Sequence, residues 1–163
     1  MEMLLGFMYS FSILCLMLIF PAVCAAIDAG WNTGFSVLHF VGKWFVFWAV
    51  GGRLLIAGVR QMLQPRFTAE TILGIRGGEA QLVVRELGIA NAALGLMGLL
   101  SLLWPGGLLM AATAGAAFYG LAGLNHALHV PRSRLQTFAM STDLLAGLAL
   151  ATCIVLTEKA SVT

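Results

Sequence analysis

The 163-residue chain is 60% hydrophobic and 10% charged, with a mean hydropathy of +0.95, which excludes a soluble domain, where about a quarter of residues carry charge. Its formal net charge of +2 is spread over scattered arginines, with no Lys/Arg block, and this excludes a nucleic-acid-binding surface. At about 20 residues per crossing, the length holds four or five membrane spans and little else, so the chain reads as one integral membrane domain over residues 1–163.

The first apolar run, over residues 3–27, carries Glu2 and no Lys or Arg at its start, and is longer than the core of a signal peptide. It reads as a retained helix kinked at Pro21, which lacks a backbone N–H and crowds the preceding turn. The stretch DAGWNTGFSVLHF reads as a turn followed by a short interfacial piece, with Trp31 and His39 at headgroup level. A second helix is expected over residues 42–63, stopped by Pro65, and a short amphipathic surface helix over residues 67–76, with Thr68 as N-cap. A third helix over residues 80–103 ends at Trp104-Pro105-Gly106-Gly107, a tight turn that makes it the antiparallel neighbour of a fourth over residues 108–129. A fifth helix occupies residues 135–156. The expected fold is an all-α membrane helix bundle with five transmembrane helices; a variant keeps the first helix peripheral and has four true spans.

Arginines set the expected orientation. Arg60, Arg66, Arg76 and Arg85 flank the connection between helices two and three, and Arg132 and Arg134 lie between helices four and five, against Lys43 and Lys159 on the other side. The positive-inside rule places the arginine-rich side in the cytoplasm, with the N-terminus inside and the C-terminus outside. Residues three or four apart, Gly88, Ala92 and Gly95 on helix three and Gly115, Tyr119 and Gly123 on helix four, put glycine and alanine on one stripe of each helix and read as close helix contacts, which also makes a homo-oligomer or larger membrane complex plausible. The cysteines, Cys15, Cys24 and Cys153, form no metal-binding spacing and read as packing residues.

The chemistry sits in one layer. Arg53 lies inside the second span, where a buried arginine costs about 2.5–3.5 kcal/mol by insertion scales and therefore calls for partners. Measured from the arginine-rich helix ends, Arg53, Arg60, Glu86, Asn91, Tyr119, Asn125, His126 and Asp143 all fall in the same half of the bilayer and together form the candidate ligand-binding set. Arg53, Ala57, Arg60 and Gln64 share one helical stripe; Tyr119, Gly123 and His126 another; Gln136, Ala139, Asp143 and Gly147 a third. Glu86 and Asn91, about 140° apart on one helix, cannot point at the same spot. Arg53 is expected to pair with Glu86 or Asp143. His126 and His129, three apart with no third ligand, do not make a metal site, and no cofactor is assigned.

The segments KWFVFWAVGGRLLIAGVRQMLQPRFTAETILGI, VRELGIANAALGLMGLLSL and FYGLAGLNHALH resemble a family of small bacterial multi-pass membrane proteins defined by a domain of unknown function. More distantly, an arginine-bearing helix ending at a short surface helix, followed by a Glu-led Gly/Ala-rich helix, is similar to the DoxX-like four-helix membrane proteins. That resemblance implies a core of helices two to five with the first helix as an addition, and, for some relatives, a role as a small subunit of quinone-linked oxidoreductases. The residues themselves support several functions. A cavity binding an amphipathic ligand such as a quinone, lipid or sterol-like molecule leads. Its rivals are a proton-coupled transporter using Glu86 or Asp143, an intramembrane isomerase or oxidoreductase using carboxylates and His126, and a purely structural polar cluster.

Overall fold

The computed structural model describes residues 2–32, 34–104, 106–128 and 133–162, and for residues 2–5 and 156–162 only the backbone path. Five helices are long and apolar enough to cross a membrane: α1 (Gly6–Trp31), α2 (Val37–Leu63), α3 (Gly78–Leu100), α4 (Gly107–Leu128) and α5 (Arg134–Val155). The last continues as helix to Val162, beyond the expected end. Among the described residues there is no strand, and the protein is an all-α membrane helix bundle.

Pro21 follows a π-helical turn, Cys15–Ile19, in which the Phe20 N–H reaches back to the Cys15 carbonyl just before the proline enters. The α1–α2 connection is tighter than the glycines and asparagine suggested. Helix α1 runs on to Trp31 and α2 starts at Val37, capped by Ser36, whose hydroxyl accepts from the His39 N–H at 3.3 Å. Asp28 explains the extension: its carboxylate accepts from Lys43 Nζ at 2.5 Å, Trp44 Nε1 at 3.0 Å and Asn32 Nδ2 at 2.7 Å. That network ties the end of α1 to the start of α2 and keeps both helical where composition alone reads as turn. Trp31 is 85% exposed at this end.

Helix α2 is central and touches each of the other four helices. Its π-helical stretch, Val46–Gly52, contributes Val46, Ala49 and Val50 to the core, where they meet Ile13 and Met17 of α1, Ala111, Ala112 and Tyr119 of α4, and Ala146 and Leu150 of α5. Side chains on the outer faces, among them Leu82, Ile89, Leu96, Leu121, Leu145 and Leu148, are exposed and apolar, as lipid contact requires.

The most intimate pairs are α2 with α3 and α4 with α5, while α3 and α4, joined by the short turn, share fewer contacts. Glycine decides the first pair. A side chain on Gly98 would strike the backbone of Gly51 and Val50, and one on Gly58 would meet Ala92 N at 2.5 Å. Without a hydrophobic drive between helices in lipid, such backbone contact is the main source of association.

The expected surface helix over residues 67–76 is shorter than expected. It is a single π-helical turn, Phe67–Ile72, and Thr68 makes no cap; Ala69 and Ile72 are buried and Arg66 Nε donates to Glu70 Oε1 at 3.0 Å. Two glycines end it early: Gly74 has φ +72° and Gly77 has φ +120° with ψ 161°, a conformation reserved almost wholly for glycine. Gly77→Ala is therefore expected to lower stability by about 1–3 kcal/mol in detergent-solubilised protein, measured by thermal unfolding. Gly78→Ala, whose added methyl meets open space in the first turn of α3, serves as the near-neutral reference.

Candidate functional site

The guanidinium of Arg53 is 7% exposed and fully engaged. Its Nη2 donates to Asp143 Oδ1 at 2.6 Å and to Thr142 Oγ1 at 3.3 Å, its Nη1 approaches Met17 Sδ at 3.1 Å, and its Cζ lies 4.7 Å from the Tyr119 ring centre. Thr142 is held in turn by donating back to the Phe138 and Ala139 carbonyls. The π-helical stretch helps to aim the side chain. The Arg53 N–H bonds the Trp48 carbonyl five residues back, which takes it away from Ala49, and the Tyr119 hydroxyl donates to the Ala49 carbonyl instead.

Beside this pair lies a cavity of about 310 Å³ at the end of the bundle where α2 joins α3 and α4 joins α5, and every one of the five helices contributes to its wall. Of the predicted residues, Arg53, Arg60, Asn91, Tyr119, Asn125, His126 and Asp143 line it. Glu86 does not. Its side chain is exposed on the outside of α3, the opposite choice from Asn91, as their angular separation required. The partner of Arg53 is thus Asp143, because the glycine contacts that clamp α3 onto α2 turn Asn91 inward and Glu86 outward. On the α2 stripe Ala57 and Arg60 face the cavity, but Gln61 takes the place expected for Gln64. His129 lies outside the described residues.

Several wall residues carried no signal in the sequence. Tyr9, Phe67, Thr68 and Phe118 supply an aromatic and hydroxyl surface, and Ile72 and Leu73 close it from the surface turn. Only Gln61, four residues on from Ala57 and eight from Arg53 on one helical stripe, was within reach of a periodicity argument. Gln61 Oε1 accepts from Asn91 Nδ2 at 2.7 Å across the α2–α3 contact, while Asn91 Oδ1, in a residue 3% exposed, has no hydrogen-bond partner among the described residues. A buried acceptor left so is uncommon.

Arg60 differs from Arg53. It is half-buried, stacks 3.9 Å over the Phe67 ring, and forms no ion pair among the described residues. Phe67 also meets Tyr9, whose ring centre is 6.3 Å away. No three His, Cys, Asp or Glu side chains gather as a metal site among the described residues. Among the described residues the arrangement is therefore a largely apolar chamber with the Arg53–Asp143 ion pair, Arg60 without an ion pair, and a set of hydrogen-bonding groups. No family model, curated protein or solved structure matches the chain.

Proposed function

We propose that this is a bacterial inner-membrane protein that binds a small amphipathic molecule, of the quinone, lipid or sterol-like kind, in the chamber beside Arg53, with the arginine-rich end towards the cytoplasm. The supporting observation is the chamber itself: about 310 Å³, walled largely by apolar and aromatic side chains, with a few polar groups converging from separate helices. Ile56 lines it and is also 56% exposed on the outer face of α2, giving an apolar tail a route to the bilayer. Kinship with DoxX-like proteins, and a place as an accessory subunit or in a homo-oligomer, belong to the same proposal.

A structural role accounts for part of the layer, since Arg53, Thr142 and Asp143 satisfy one another without help. It does not account for the open volume next to them. Filling that volume separates the two readings. Ala122 lines the cavity from α4, and Ala122→Phe is expected to abolish retention of a lipophilic molecule that copurifies with the wild type, as read by native mass spectrometry and extraction. A dry structural void predicts the reverse: no copurifying molecule in the wild type, and a filled variant that unfolds at higher temperature because lost contacts are restored.

A further inference from the structure

The geometry points to an anionic head group, a phosphate or carboxylate oxygen held by Arg60 and Tyr9, as the feature by which the chamber selects its ligand; this rests on the ligand-binding reading above. The charge balance of the chamber is the first ground. Among the described residues Asp143 is the one carboxylate lining it, and it is paired with Arg53; Glu70 is held by Arg66, and Glu86 lies on the outer face of α3. Asp28 is bound to Lys43 at the opposite end of α2. Arg60 is left as a half-buried cation with an aromatic face behind it and no anion in front. Stacking on Phe67 fixes the plane of the guanidinium and leaves its N–H edge for a planar or tetrahedral oxyanion.

The second ground is the neighbouring donor. Tyr9, from α1, meets Phe67 as Arg60 does, lines the same chamber, and its hydroxyl has no hydrogen-bond partner among the described residues. A phenol O–H and a guanidinium beside one ring offer two donors and no competing acceptor charge, which suits an anionic oxygen better than a neutral carbonyl. The same chemistry arises from a single-chain lipid head group or from a free soluble anion, and the opening at Ile56 favours the lipid.

Calorimetric titration in a neutral maltoside detergent tests this with three probes: dodecyl phosphate, dodecylglycerol of the same chain length, and inorganic phosphate. The expected result is binding of dodecyl phosphate at least 10-fold tighter than dodecylglycerol. That ratio should fall to near one in Arg60→Gln, fall partly in Tyr9→Phe, and be largely kept in Arg60→Lys. Arg66→Gln, removing an exposed cation outside the chamber, should leave it unchanged. Inorganic phosphate binding as tightly as dodecyl phosphate would keep the anion site and assign it to a soluble source. Equal binding of the phosphate and glycerol amphiphiles by the wild type, or an unaltered ratio in Arg60→Gln, overturns the head-group inference while sparing the ligand-binding reading. If neither amphiphile binds, both readings fall.

Discussion

Asp143→Leu is expected to destabilise the bundle by about 3–5 kcal/mol, the cost of leaving a buried charge without its counter-ion. The residue is 8% exposed, its carboxylate lies 2.6 Å from Arg53 Nη2, and no other described carboxylate is placed to replace it. Thr142, at 3.3 Å, and the Tyr119 ring stabilise the guanidinium but carry no net charge. Arg53→Met should be similarly damaging, because an isolated Asp143 is then left beside apolar side chains. The double variant Arg53→Met/Asp143→Leu is the informative case. Replacing a buried pair by apolar groups of similar size is often neutral or favourable, so most of the lost stability is expected to return. Unfolding in mixed micelles, followed by loss of helical circular dichroism, measures all three. A loss below about 1 kcal/mol in Asp143→Leu would mean that water or lipid head groups already reach Arg53, and the view of a closed ion pair would have to be abandoned.

Gly98→Leu is expected to be strongly damaging, because the atoms it would displace are backbone. The added carbon meets N and Cα of Gly51, with the Val50 carbonyl carbon at 3.0 Å, and no flexible side chain stands there to yield. Overpacking typically costs about 1–3 kcal/mol, and sites where the main chain must move lie at or above the top of that range. Separation of α2 from α3 would also pull Gln61 from Asn91, whose 2.7 Å hydrogen bond crosses the same contact, and so widen the chamber. Loss of stability and loss of ligand retention should therefore appear together, by the same unfolding and mass-spectrometric measurements. Gly120→Ala is the comparison: its added methyl meets nothing within 4 Å, so the substitution should be neutral or gain up to about 1 kcal/mol from helix propensity. Equal effects at the two positions would remove the case for a glycine-determined α2–α3 approach.

The two variants probe what was hardest to read beforehand. The span positions were legible, because about 20 apolar residues in a row is a local property and the bilayer imposes it. So was the polar layer, since counting from helix ends gives depth without knowledge of packing. Even the opposed directions of Glu86 and Asn91 followed from helical geometry. Their assignment, one inward and one outward, did not, because it depends on how α3 is rotated about its own axis, and Gly51, Gly58, Gly88 and Gly98 set that rotation only once the helices meet.

Helix ends depart from the local preference where a side chain from a distant position overrides it. Asp28 and Trp31 belong to a stretch whose glycines and asparagine favour a turn, yet the reach of Asp28 to Lys43 and Trp44 keeps both flanking helices wound. Conversely, the residues after Phe67 look amphipathic, and Gly74 and Gly77 break the helix after one turn. Tyr9 and Phe67 illustrate the limit most plainly. Each reads as an ordinary aromatic in an apolar segment, and only the folding of α1 and the surface turn over the end of α2 brings them to Arg60.

The amino-acid order thus determined the environment, the helical class, the place of each charge along its helix and the need for Arg53 to find a counter-ion, because these follow from hydropathy, period and charge along one stretch of chain. The three-dimensional structure decided which carboxylate answers Arg53, that Arg60 has no ion pair among the described residues, and that one chamber is lined by both. These depend on the rotation and approach of neighbouring helices, which are set by contacts between residues far apart in the chain.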